Sequence, residues 1–357
     1  GVANRYADEK FPNTQDWSIN VQYLADSLGQ GDINNLSPSE KYDLLLGDSN
    51  YSLTKSILHE GDAYFLNHNM VETWMGICHG WAAASYMMAR PSKSVKVLAA
   101  DGKTEIIFYP SDIKALASLL WANAYKETKQ IGGRCDVGNP KLDKLGRPMD
   151  INCLDENPAS WHLAVVNQIA VAKQSFVMDK ALNEEVWNQP VYGYRYTYFN
   201  PKTRLPVKSL REAKVSLEEF RGDKYRTVRG PATKYLVGII MDVEYVGEID
   251  PVHMGSDFSE NDVHGSEHYV YDLELAKDGK IVGGEWYHNN HPDFLWTPIA
   301  GSIAQSVGDE MLNRMNDHEQ WEHDHLVPTS WREAAVSSAV YRQPLQRVVQ
   351  GLINFSN

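Results

Sequence analysis

Three cysteines stand at 78, 135 and 153, and their settings differ. Cys78 lies in Trp74-Met75-Gly76-Ile77-Cys78-His79-Gly80-Trp81-Ala82-Ala83-Ala84, where a run of helix formers starts at the thiol and stops before Pro91. A cysteine that opens a helix meets unpaired backbone N–H groups and the positive end of the helix dipole, which favour thiolate over thiol. The same N–H groups can receive a developing oxyanion. This setting points to nucleophilic attack on a carbonyl carbon, against the buried structural role that is the commoner fate of a free thiol. A thiolate needs a base, and the base needs an orienting partner. Trp161-His162-Leu163-Ala164-Val165-Val166 puts a histidine at the mouth of an apolar run, and Phe176-Val177-Met178-Asp179 ends in a carboxylate 17 residues later. Read as the two strands of a hairpin, these segments set His162 and Asp179 side by side, with the carboxylate fixing the tautomer that faces Cys78. Trp74, Trp81 and Trp161 flank the trio as candidate substrate-binding groups able to shield an acyl-enzyme from water.

Rival assignments exist. His268 also precedes a strand, and Glu285 follows it by the same 17 residues. Asn200 can stand in for Asp179 as the orienting group. His79 points away from Cys78, because neighbours on a helix do not share a face. Metal chemistry is weakly supported: His323-Asp324-His325 reads as a solvated charge run, and no residue is assigned as a metal ligand. Asp257, Glu260, Asp262 and Glu267 form an acidic loop that can attract calcium, although it lacks the alternating ligands and central glycine of an EF-hand. No cofactor is required, and neither a phosphate-cradling glycine loop nor a Gly-x-Ser-x-Gly elbow occurs.

The elements that must position these groups follow an α+β order. Residues 15 to 60 read as helical, with Ser37-Pro38-Ser39-Glu40 as a start signal. Val95–Leu98 and Glu105–Tyr109 flank Asp101-Gly102 as a hairpin, and Pro110 opens a helix running to about Tyr125. Strands are read at His162–Val171, Gln174–Met178, Tyr192–Phe199, Tyr235–Val246 and Tyr269–Leu275, the last turning at Lys277–Lys280 and returning through Ile281–Trp286. Helices close the chain over Ser302–Met315 and Ser330–Ile353. Three segments result: a helical one over 1–60, a catalytic domain over 61–300 and a helical one over 301–357.

Composition sets limits on the partners. Hydrophobic residues make up 43% and charged residues 23%, as in an ordinary globular protein. A net charge of −13 repels a phosphate backbone, so nucleic acid is not an expected partner. No run reaches the roughly 20 apolar residues of a transmembrane segment. Cys135 and Cys153 bracket a Gly/Pro/Asp-rich loop, where a disulfide would stabilise the fold by about 3 kcal/mol. That pair, with Cys78 left over, is the cysteine arithmetic of a secreted thiol enzyme.

Val186-Trp187-Asn188-Gln189-Pro190-Val191 resembles the elicitor motif of the oomycete cell-wall transglutaminases. The likeness continues loosely through Gly193 and departs beyond it, at Tyr194, Arg195 and Tyr196. Further segments look like the same transglutaminase elicitor family, which also has bacterial members: Gly76–Ala82, Tyr109–Leu116, Phe176–Asp179, Gly283–Tyr287 and His291–Trp296. The resemblance implies a secreted enzyme with a papain-like core, in which the helix carrying the nucleophile packs on an antiparallel sheet. It implies Cys78 as that nucleophile and protein-glutamine γ-glutamyltransferase chemistry, joining glutamine- and lysine-bearing proteins through a thioester. It also makes calcium dependence an expectation, without locating the ion. The same constellation serves a cysteine protease or amidase, and a non-catalytic surface-binding protein is the alternative from another class.

Overall fold

A computed structural model describes residues 33–69, 74–135, 137–150, 153, 156–180, 185–288 and 291–357. The helix read before residue 33 lies outside the described residues. The chain divides into two compact units, neither continuous in sequence: one takes in the described parts of 1–127, 250–261 and 300–357, the other those of 128–249 and 262–299.

In the first unit, α1 (Pro38–Leu46) begins at the expected signal: Ser37 caps the helix and Glu40 completes a capping box. It is followed by α2 (Ser52–His68) and α3 (Cys78–Met87), then by the hairpin β1 (Val95–Leu98) and β2 (Glu105–Phe108), and by α4 (Pro110–Asn123). Lys41 of α1 and Asp112 of α4 form a fully buried ion pair at 2.6 Å. Asp112 also accepts the Tyr109 N–H, so the helix cap and the ion pair share one carboxylate. The segment 250–261 runs along this unit: Ser94 N–H donates to Gly255 O, Asp257 N–H donates to Ser92 O, and the Asp257 carboxylate holds Arg90 and Lys114, each at 2.6 Å. Three C-terminal helices, α7 (Val307–Arg314), α8 (Thr329–Ala339) and α9 (Gln346–Ser356), finish the core of this unit and are numbered after the helices of the second.

The second unit is built on a nine-stranded sheet. Its elements are β3 (Thr128–Gly132), α5 (Pro158–Val165), β4 (Phe176–Asp179), β5 (Asn188–Phe199), β6 (Pro206–Val207), α6 (Leu210–Ala213), β7 (Val215–Ser216), β8 (Tyr235–Val246), β9 (His264–Leu275), β10 (Ile281–Trp286) and β11 (Phe294–Pro298). The strand order is β10-β9-β8-β5-β4-β11-β3, with β6 beside β5 and β7 beside β8, and every pairing is antiparallel. Tyr269, Tyr271, Met241 and Val243 lie on one face and are completely buried there with Trp161. Arg195, Asp242 and His268 lie on the other, exposed face, as the period of two requires. The α+β class and most strand positions match the sequence reading.

One expectation is corrected. The run from His162 is a helix followed by a π-helical turn (Val166–Val171), and not the first strand of a hairpin. Asn157 accepts the Ala159 N–H as N-cap, Pro158 occupies the first turn, and Ala159, Trp161, His162 and Val165 form the buried stripe. Within its own unit, the small residues after Cys78 pack against a helix. There α3 lies on α4, and a Cβ at Gly80 would sit 2.2 Å from Ser118 O and 2.6 Å from Ala122. Alanine ordinarily stabilises a helix interior relative to glycine. At this contact the sign reverses: Gly80→Ala is expected to lower stability by about 1–3 kcal/mol, read as a reduced urea midpoint at unchanged slope.

Candidate active site

Cys78 is the first residue of α3 and half-buried; it is the one free cysteine, because Cys135 and Cys153 are joined as the loop composition led us to expect. Ile77 at the N-cap supplies no side-chain hydrogen bond, and no acidic residue occupies the first turn. The end of the helix therefore keeps its positive character beside the thiol. His79 is held below the usual histidine range by burial and, second, by the Lys126 ammonium, so its imidazole is neutral at pH 7. Trp74 and Trp81 are half-buried on either side of the thiol in sequence.

In the second unit His162 and Asp179 have separate environments. The Nδ1 of His162 shares a 2.8 Å hydrogen bond with the Tyr271 hydroxyl, and the ring lies edge-on to Tyr196 at 5.3 Å. Burial pushes its pKa down to about 4. Asp179 sits at the end of β4 opposite Asn188, and Tyr196 is eight residues further along β5, roughly 25 Å of extended chain. The expected His162–Asp179 pairing rested on a hairpin that does not form. Trp161 is completely buried against Phe176, Tyr269 and Trp286; it fills the core instead of lining a substrate surface.

What gathers at Asp179 is a different set. Its Oδ1 accepts the Trp187 N–H at 2.9 Å, and its carbonyl accepts the Asp293 N–H at 3.2 Å. Asn188 Oδ1 accepts the Trp296 indole N–H at 2.8 Å. Asp293 is completely buried and its Oδ2 accepts the Cys135 N–H at 2.7 Å. Two residues before it, His291 is buried and stacked on Trp286, with ring centroids 5.0 Å apart and planes at 7°. Burial brings its pKa down to about 4, partly opposed by the hydrogen bond to the Pro292 carbonyl. Both imidazoles are thus neutral near pH 7. The sequence reading placed His291 in a segment that resembles the family and gave it no role. The signal was the strand edge itself: β4, β5 and β11 end or begin at Asp179, Asn188 and Phe294.

The rival assignments dissolve. His268 is exposed and bonds Asp242 at 2.8 Å. Glu285 is in register with Asp272, four residues or about 13 Å along β9 from His268. Asn200 caps the turn after β5, accepting from Lys202 and Thr203 and donating to Glu212 O. In the acidic loop, Asp257 is paired with Arg90 and Lys114, and Glu267 with Lys180 at 3.4 Å. Among the described residues no group of three or more His, Cys, Asp or Glu is placed to hold a metal ion.

Residues 66–319 match the family model described as Transglutaminase elicitor, well over half of the chain and the whole of the second unit. The chain belongs to the transglutaminase elicitor family. No curated protein matches it. Among solved structures, the GP42 transglutaminase from Phytophthora sojae is similar, with 28% identity and a TM-score of 0.46 over 66% of this chain and 59% of that one. The match therefore spans less than two thirds of that protein. Within the elicitor-family match lie Cys78, Asp179, His291 and Asp293 alike.

The depressed pKa of His162 has a measurable consequence. With about 4 in the folded state against about 6.5 unfolded, protons bind the unfolded chain first as pH falls from 6.5 towards 4, and stability is lost in that window. Between pH 7 and pH 5 the parent is expected to lose about 2 kcal/mol more than His162→Gln, in paired denaturant titrations.

Proposed function

We propose that the chain is a thiol acyltransferase of transglutaminase type, with Cys78 as nucleophile. The observation that carries the reading is the family membership of a chain whose free cysteine opens a helix. The neutral imidazole takes the Cys78 thiol proton and becomes the imidazolium, the thiolate attacks the side-chain carboxamide of a glutamine, and backbone N–H groups at the start of α3 stabilise the tetrahedral oxyanion. Collapse expels ammonia, which leaves with a proton delivered by an imidazolium, and a thioester remains. A lysine amine then attacks the thioester carbon, the imidazole takes its proton, and the isopeptide leaves while the thiolate is regenerated.

The imidazole is assigned to His291 rather than His162, because His291 belongs to the segment that bonds Asp179 while His162 is tied to Tyr271. A neutral imidazole is the form that accepts a proton. Asp179 keeps its assigned role as the orienting carboxylate. Trp74 and Trp81 are suited to screening the thioester, which decides between amine transfer and hydrolysis. A disulfide favours an oxidising compartment, and no helix among the described residues is long and apolar enough to cross a membrane; both support the reading of a secreted protein.

The test is incorporation of a primary amine into a glutaminyl peptide. Cys78→Ala is expected to abolish it, and His291→Ala to cost about 1,000-fold or more in kcat/KM. His162→Ala is expected to retain most of the turnover. Ammonia release without incorporation would transfer the reading to an amidase, and peptide cleavage to a protease. Loss of turnover in His162→Ala with His291→Ala active would return the base to His162.

A further inference from the structure

The loop closed by Cys135 and Cys153 touches the candidate site from both of its ends. At one end, the backbone N–H of Cys135 donates to Asp293 Oδ2 at 2.7 Å, and both residues are completely buried. Cys135 also lies three residues past the end of β3, where Gly132 is in register with Phe294. At the other end, the carbonyl of Glu156, three residues past Cys153, accepts the Trp286 indole N–H at 3.0 Å. Trp286 in turn stacks on the His291 ring. The stretch His291–Asp293 is thus held by its carboxylate on one side and its imidazole on the other, and a single covalent bond ties the two holders together.

We propose that the Cys135–Cys153 disulfide governs the candidate site, with Asp293 and Trp286 as the positioning residues through which it holds His291. The proposal rests on the acyltransferase reading for its activity readout alone. A thiol enzyme ordinarily needs reductant to keep its nucleophile free. Here breaking the bond with a phosphine reductant is expected to lower activity: the S–S bond breaks, phosphorus supplies two electrons, and water supplies the two thiol protons and the oxygen that ends on phosphorus. Cys78 is already a free thiol and is unchanged by that step.

The experiment compares the parent, the double variant Cys135→Ser/Cys153→Ser, Asp293→Ala, Asp293→Asn and the triple variant combining the disulfide loss with Asp293→Ala. It reads amine incorporation and peptide-level hydrogen exchange over residues 291–298, with β8 as the internal reference. Disulfide loss and Asp293→Ala are each expected to lower kcat by about 10- to 100-fold, with KM within about twofold of the parent. Exchange is expected to accelerate over 291–298 and not over β8. The triple variant is expected to be no slower than the disulfide-free variant, since Asp293 is one of the two residues through which the disulfide acts. Asp293→Asn, which keeps an acceptor for the Cys135 N–H, is expected to retain most of the turnover.

Multiplicative losses in the triple variant, or parent-like exchange over 291–298 in Asp293→Ala, would overturn the proposal. The second criterion applies even if the disulfide-free chain fails to fold, because Asp293→Ala retains the disulfide. A parent without any turnover would count against the acyltransferase reading, and hydrogen exchange alone would then decide the clamp.

Discussion

A buried carboxylate at the end of a buried strand is the constraint around which the second unit is arranged. The strand β4 has four residues, Phe176 to Asp179, and all four are buried. Ending it on Asp179 places a group that strongly prefers water where water is excluded, so the chain must supply donors. The Trp187 N–H meets the carboxylate, and the Asp293 N–H meets the neighbouring carbonyl. Those two contacts set where β5 and β11 begin. They draw Asn188, Trp296 and the His291–Asp293 stretch to the same edge. A polar site at that edge follows from satisfying one charge.

The opposite end of the sheet solves a similar problem with a cation. Arg229, almost fully buried, faces Asp223, Asp272 and Glu274 at 2.6–3.2 Å, and Glu274 also receives the Thr233 hydroxyl. Burial raises Asp272, and the guanidinium opposes it. Removing the arginine alone would leave three carboxylates facing one another out of water, which is the costly way to break such a group. Here the ions fix how the 217–233 loop lies on the outer face of β8 and β9, a structural use of charge distinct from the role proposed for Asp179.

Much of this was legible beforehand, and the exceptions have physical causes. The hairpins at Asp101-Gly102 and Asp278-Gly279 carry glycines at φ 67° and 88°, a conformation that turn chemistry announces in the sequence. The capping box at Ser37 and Glu40 and the strand Tyr235–Val246 were equally plain. The run from Trp161 was misread because a short, nearly all-apolar stretch carries no period to separate a buried helix from a buried strand. Its Asn157-Pro158 start signal was present and outweighed by β-branched residues. His291 was hidden for another reason: its place depends on β4 and β11 pairing across more than a hundred residues of chain, which local spacing does not encode. The disulfide was readable from loop composition, whereas its hydrogen bond to Asp293 was not.

The division into two interleaved units sets the order in which this protein can be completed during synthesis. The chain passes between the units at 127/128, 249/250, 261/262 and 299/300. The second unit has all its strands once residue 299 has emerged from the ribosome. The first, although begun earlier, must wait: the Tyr42 hydroxyl accepts from Leu345 N–H, Lys93 is bonded both ways by Ser356, and Trp331, Val348 and Leu352 are buried in its core. Nascent chains fold as domains become available, so the unit that carries the thiol is the last to close. The thiol-bearing unit is therefore closed only once residue 356 has emerged, and a product terminated before it holds the sheet without that unit finished.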